Sequence, residues 1–133
     1  MTISIHDGVV IGYSVNFLEN ELLVDIETVA DGIVTVTFEN YLAHYFDHVM
    51  AGSIIFDIEE VDLTTFFVGH REQFELHKSY AWPVWHDNTD ELKKYLQENN
   101  YKSYVICSSL GLNGYVFAET LTIKKNDKLG EKN

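Results

Sequence analysis

The stretch from Val9 to Glu39, VVIGYSVNFLENELLVDIETVADGIVTVTFE, decides the fold class of this chain. Val9, Ile11, Tyr13, Val15 and Phe17 alternate with Val10, Gly12, Ser14 and Asn16, a period of two that a strand satisfies and a helix does not. After a polar Glu19-Asn20-Glu21 turn, Leu22, Val24 and Ile26 face one way while Asp25 and Glu27 face the other. Asp31-Gly32 is a favoured hairpin dipeptide because glycine accepts positive φ, and beyond it Val34, Val36 and Phe38 alternate with Thr35, Thr37 and Glu39. This pattern predicts a three-stranded meander.

Downstream, the periodicity changes. Leu42, Tyr45, Phe46 and Val49 recur at intervals of three and four, which predicts a short helix between Glu39 and Met50, ended by Ala51-Gly52-Ser53. Ile54, Phe56 and Ile58 alternate with Ile55, Asp57 and Glu59 as a fourth strand, and Asp62 is placed to cap a helix beginning at Leu63. Residues 63 to 78 carry Leu63, Phe66, Phe67, Phe74 and Leu76 around Gly69 and read as a broken helix with a loop. From Asn88 to Asn100 the signal is clearest: Asn88 caps, Glu91 completes a capping box, Leu92, Tyr95 and Leu96 form a stripe, and Asp90 with Lys94 makes an i,i+4 pair. Two closing strands, Ser103 to Ser109 and Tyr115 to Ile123, are joined by Gly111-Leu112-Asn113-Gly114. The expectation is one α+β domain over residues 1–123, built on a curved, mostly antiparallel sheet, with a polar frayed tail over 124–133.

Composition narrows the function. The 133 residues are 46% hydrophobic and 14% aromatic with eight glycines and one proline, which suits a packed globule and argues against disorder. Cys107 is the single cysteine, so an intrachain disulfide and a multi-thiolate zinc site are both excluded. No leader-like or membrane-length apolar run occurs, and the cytoplasm is the expected compartment. Net charge is −12, and its placement matters more than its size: residues 1–70 hold twelve acidic residues and no Lys or Arg, whereas residues 71–133 hold nine of each sign. That imbalance repels nucleic acid and anionic membranes and favours encounters with basic proteins.

No catalytic constellation emerges. His44 and His48 have the four-residue spacing of a helical zinc pair, but the glutamate of H-E-x-x-H and a third ligand are missing. His70, His77 and His86 read as loop residues with hydrogen-bonding roles. Cys107 lies mid-strand, where an inert thiol is the usual outcome. Ser108-Ser109 does not match a nucleophile elbow, no phosphate loop occurs, and Glu119, which interrupts the alternation of Tyr115, Phe117, Leu121 and Ile123, reads as an edge position. The chain is therefore expected to be a binding protein, with no catalytic residue, metal or cofactor. Its candidate partner-binding residues are the carboxylates Asp25, Glu27, Glu39, Asp57, Glu59, Glu60 and Asp62, together with Trp82 and Trp85 in the YAWPVWHD run of residues 80–87, where one tryptophan is expected in the core and an exposed one would anchor an interface.

Three runs, VTFENYLAHY (36–45), IIFDIEEV (54–61) and SSLGLNGYVFAETLTI (108–123), resemble small acidic proteins of Gram-positive bacteria that accompany secreted or contact-delivered polymorphic toxins as immunity proteins. The resemblance touches most of residues 8–123 and rests on framework residues. It implies a compact cytoplasmic domain that binds a basic toxin domain, in many cases a nuclease, and occludes it. Two other readings of the residues stay open: a non-toxin interaction module or homo-oligomer whose acidity is solubilising, and a small-ligand protein using Glu119, His86 or the aromatic cluster.

Overall fold

The computed structural model describes residues 3–77 and 81–126. Eight strands and two helices run in the order β1 (Val9–Asn16), β2 (Glu21–Glu27), β3 (Ile33–Glu39), β4 (Ala43–Asp47), β5 (Ile54–Val61), α1 (Leu63–His77), α2 (Thr89–Glu98), β6 (Lys102–Leu110), β7 (Asn113–Ala118) and β8 (Thr120–Lys125). The α+β class and the antiparallel sheet agree with the pattern of the residues. All strands join one open, curved sheet in the order β4-β7-β6-β5-β1-β2-β3-β8.

The curvature arises from connectivity. Glu119 alone separates β7 from β8, yet these strands stand second and last in the sheet, and residues 40–42 join β3 to β4 in the same way. The two pairs β3–β8 and β4–β7 therefore form a single bent ribbon that bridges the ends of the sheet, held at the bend by Glu119 N–H donating to the Glu39 carbonyl (3.0 Å) and Leu42 N–H to the Phe117 carbonyl (2.9 Å). The long strand expected from Tyr115 to Ile123 is thus two strands, and Glu119 sits at the break. The second of them continues through Lys125, with Lys124 opposite Thr35 and Lys125 opposite Val34, so the expected frayed tail begins as strand; 127–133 lie outside the described residues.

Curling divides the apolar residues into two clusters. Inside the curve, Leu22, Val24 and Ile26 of β2 meet Val34, Val36 and Phe38 of β3, with Ile55, Tyr104, Ile106 and Val116 closing the far side. Outside it, over β4–β7–β6–β5 only, Leu63, Phe66, Phe67 and Phe74 of α1 and Leu92 and Leu96 of α2 cover Ala43, Tyr115 and Phe117. Phe74 lies at the centre of this second cluster, fully buried and within ring contact of Phe66, Phe67, Trp82, Tyr115 and Phe117.

Three local expectations are corrected. A bulge between Val10 and Gly12 shifts the phase of β1, so Val10 faces the core and Ile11 faces solvent. Residues 43–47 are strand rather than helix: Ala43 and Tyr45 lie on the side of Tyr115 and the helices and His44 and Phe46 on that of Tyr13 and the inner cluster, and aromatic contacts on both faces hide the period of two. β7 approaches so closely that a Cβ on Gly114 would stand 1.9 Å from the Tyr45 carbonyl oxygen, which is why glycine is required there. Finally, α1 runs unbroken through Gly69. An internal glycine costs roughly 1 kcal/mol relative to alanine, less than the burial of Phe66, Phe67 and Phe74 returns, and His70 completes the stripe by stacking on Phe66 at 4.2 Å.

The helix caps obey the expected chemistry. Asp62 Oδ2 accepts from Thr65 N–H (3.2 Å) at α1, and Asn88 Oδ1 accepts from Glu91 N–H (2.9 Å) at α2. The Glu91 carboxylate reaches back to Asp87 N–H (3.1 Å), and Lys94 pairs forward with Glu98 (3.8 Å) while Asp90 meets Arg71 (3.2 Å), so the expected Asp90–Lys94 pair is replaced.

Candidate protein-binding face

Among the described residues, no helix lies on the outer face of β1–β2–β3–β8. Because Leu22, Val24, Ile26, Val34, Val36 and Phe38 all point into the curve, the intervening residues Glu21, Asp25, Glu27 and Glu39 must project outward. Register places Glu21 directly opposite Glu39, Asp25 between Gly12 and Thr35, and Glu27 between Val9 and Ile33. Hydroxyls support two of the carboxylates: Thr35 Oγ1 donates to Asp25 Oδ1 (2.6 Å) and Thr122 Oγ1 to Glu39 Oε1 (3.3 Å). Glu119 joins the same end of the face, its Oε2 accepting from Asn40 Nδ2 (2.9 Å). Among the described residues, no Lys, Arg or His forms an ion pair with Glu21, Asp25, Glu27, Glu39 or Glu119.

The remaining carboxylates lie elsewhere. Asp57 and Glu59 on β5 stand opposite Cys107 and Val105 of β6, in the half whose outer face the helices partly cover. Glu60 reaches Lys102 (3.9 Å), and Asp62 is committed to the α1 cap. Since β1 intervenes, β5 and β2 are two strand spacings apart, about 10 Å. The structure therefore gathers Asp25, Glu27 and Glu39 with Glu21 and Glu119, and it places Asp57, Glu59, Glu60 and Asp62 apart from them. Glu21 was legible as the next outward position before Leu23 and Asp25, but its place beside the turn obscured it.

The tryptophans divide. Trp82 stacks on Phe74 (5.7 Å, 8° between planes) as part of the helix-covered cluster, whereas Trp85 is 69% exposed. Tyr80 lies outside the described residues. Neither tryptophan adjoins the carboxylates of β2 and β3 in the sheet. More conspicuous apolar exposure occurs at the β1–β2 turn, where Phe17 and Leu18 are 80% and 93% exposed while Asn16 Oδ1 accepts from Leu18 N–H and Glu19 N–H (both 2.9 Å) and fixes the backbone.

The histidine and cysteine chemistry is local. With residues 43–47 extended, His44 and His48 lose the helical juxtaposition that a shared metal needs; His44 Nδ1 hydrogen-bonds the Tyr41 hydroxyl (2.6 Å) and His48 Nδ1 meets Asp47 (3.0 Å). Burial lowers the His44 pKa. His70 is helical, bonding the Phe66 carbonyl through Nδ1 (2.9 Å), and His77 ends the same helix. His86 is buried ahead of α2; Nδ1–H donates to the Val84 carbonyl (2.7 Å) and Nε2 has no partner among the described residues. At Cys107, burial first and then Glu59 and Asp57 push the thiol upward, the opposite of what a nucleophilic thiolate requires. Burial and then Tyr45 raise the Tyr115 pKa as well, and its hydroxyl donates to Gln73 Oε1 (2.8 Å).

No model of a protein family, no curated protein and no solved structure matches the chain. No helix among the described residues is long and apolar enough to cross a membrane. A largely apolar cleft of about 370 Å³ opens between β5, β8 and the N-terminal segment, lined by Ile3, Ile5, Phe56, Ile58, Leu121 and Ile123 with Ser4, His6 and Asp57 at its polar points; neither Glu119 nor His86 reaches it. The candidate ligand groups Glu119 and His86 thus stand outside this cleft, on separate elements. What the bare half of the sheet can do chemically is present an ordered array of carboxylates to another molecule.

Proposed function

We propose that this protein is an immunity protein, binding a cationic toxin domain through the outer face of β2 and β3 and covering the toxin's working surface. The observation that carries this reading is the Glu21–Glu39 pair, like charges directly opposite each other across two strands, with Asp25, Glu27 and Glu119 beside them and no cation paired to any of the five among the described residues. A directly opposed like-charge pair costs up to roughly 1 kcal/mol in a sheet, and a basic partner converts that cost into attraction. The resemblance of three framework runs to acidic immunity proteins supports the same class. Complementary charge raises the encounter rate and selects the partner, while exposed apolar side chains such as Phe17 and Leu18 supply contact energy.

The test is co-expression of the chain with the toxin domain encoded beside it. Survival is expected with the native chain, and loss of protection is expected when Glu21, Asp25, Glu27 and Glu39 are together changed to the amides. Killing that continues despite soluble native protein contradicts the reading.

A further inference from the structure

β1 is an incompletely paired strand. Its bonding to β5 ends at Val10 N–H to the Ser53 carbonyl (2.8 Å), with Val9 opposite Ile54 as the only register pair, whereas its pairing with β2 runs the full length from Val9 to Asn16. From Ile11 to Asn16 the second edge of the strand therefore has no neighbouring strand bonded to it among the described residues. Proteins ordinarily blunt such an edge with lysine or proline. The terminal strand β8 conforms to that practice, since its last two residues are Lys124 and Lys125, but VVIGYSVNF contains neither a charge nor a proline. The bulge at Ile11 marks where β5 departs, and the register beyond it is regular.

Two further features describe what this edge fits. On the outer face stand Gly12, Ser14 and Asn16, uncharged and no bulkier than an amide, and behind them on β2 stand Asp25 opposite Gly12 and Glu21 opposite Asn16. On the other face, which looks into the curve, stand Tyr13, 39% exposed with its ring against Phe46 (5.1 Å) and His44 (6.2 Å) of β4, and half-buried Val15 on the inner cluster, and the strand runs into exposed Phe17 and Leu18. A strand laid against this edge would sit about 4.8 Å from β1 and about 10 Å from β2. Its outward side chains would pass over Gly12 and Asn16 to the two carboxylates, and its alternate side chains would enter the mouth of the curve beside the exposed part of Tyr13.

We propose that the free edge of β1, Ile11–Asn16, receives an extended segment of the cationic protein partner in which basic and apolar side chains alternate. Main-chain bonds supply the docking and the carboxylates of β2 select for charge, the division of labour seen when a strand is added to a sheet edge. The inference rests on the reading that the acidic face meets a basic protein, and it adds where and in what conformation the partner enters.

The probe is a synthetic nine-residue peptide alternating lysine and valine, titrated into the isotope-labelled full chain and followed by backbone amide spectra and hydrogen exchange. Controls are the glutamate–valine counterpart and a peptide with the same lysines and valines in two blocks. Saturable shifts and slowed exchange centred on Ile11–Asn16 are expected with the alternating lysine peptide, at least tenfold weaker binding with the block peptide, and none with the acidic one. In Glu21→Gln/Asp25→Asn, whose spectrum reports directly on folding, affinity is expected to fall at least fivefold with the shifts still on β1. Equal binding of block and alternating peptides, or shifts elsewhere with β1 unprotected, overturns the proposal. If the chain nevertheless neutralises the toxin, the acidic-face reading survives and only the strand-edge route fails; peptide docking without neutralisation gives the reverse.

Discussion

The half of the sheet formed by β1, β2, β3 and β8 buries one face and, among the described residues, has no helix on the other, while β4, β7, β6 and β5 bury the inner face and, over much of their extent, the outer face beneath α1 and α2. The difference separates stability from recognition. Aromatic side chains of α1 and leucines of α2 are concentrated on the second half, and carboxylates with no cation partner among the described residues on the first. Substitutions beneath the helices should cost the fold, and substitutions of the outward carboxylates of β2 and β3 should cost only the partner.

The largest effect bearing on this contrast is at Phe74. Its replacement by alanine removes a fully buried ring from contact with five aromatic neighbours, and a loss of about 3–5 kcal/mol is expected in urea unfolding, whereas Glu27→Gln on the bare face should stay within about 0.5 kcal/mol. Comparable losses at the two positions would erase the division. Next comes Asn88→Ala, which deprives α2 of its cap and should cost about 1 kcal/mol, measurable as a lower urea midpoint with an unchanged slope.

A smaller effect of opposite sign is expected at Glu21→Lys. Placing a cation opposite Glu39 relieves the cross-strand repulsion and should stabilise the fold by a few tenths to about 1 kcal/mol while weakening partner binding. A variant that loses stability would show that the carboxylate is structural. Smallest is the pH effect of His44. Burial makes the folded state resist protonation, so the unfolded chain takes up the proton first as pH falls below the ordinary value near 6.5. Stability from this group is full above that pH and is lost below it; His44→Gln should flatten the decline in unfolding free energy between about pH 7 and 5.5 relative to the native chain.

Legibility in the sequence tracked the same division. β2 and β3 could be read residue by residue because one face is apolar and the other polar, and the outward positions of Asp25, Glu27 and Glu39 came with them. β4 could not, because Ala43, His44, Tyr45 and Phe46 meet packed groups on both sides and their spacing imitates a helix. The continuity of α1 through Gly69 was hidden because His70, polar in composition, occupies an apolar stripe by stacking on Phe66. The dispersal of Asp57, Glu59, Glu60 and Asp62 away from β2 and β3 depends on strand order, and alternation along a strand says which face a residue takes but not which strand lies beside it. The free edge of β1 was invisible for the same reason.

Whether the bare face recruits a cationic partner is decided by the association rate of the toxin domain, measured by stopped flow at low and at physiological salt. With Glu21, Asp25, Glu27 and Glu39 all amidated, the rate at low salt is expected to fall by about tenfold or more and its salt dependence to become much flatter. An unchanged rate with an unchanged salt slope would place the docking surface elsewhere and remove the acidic face from recognition.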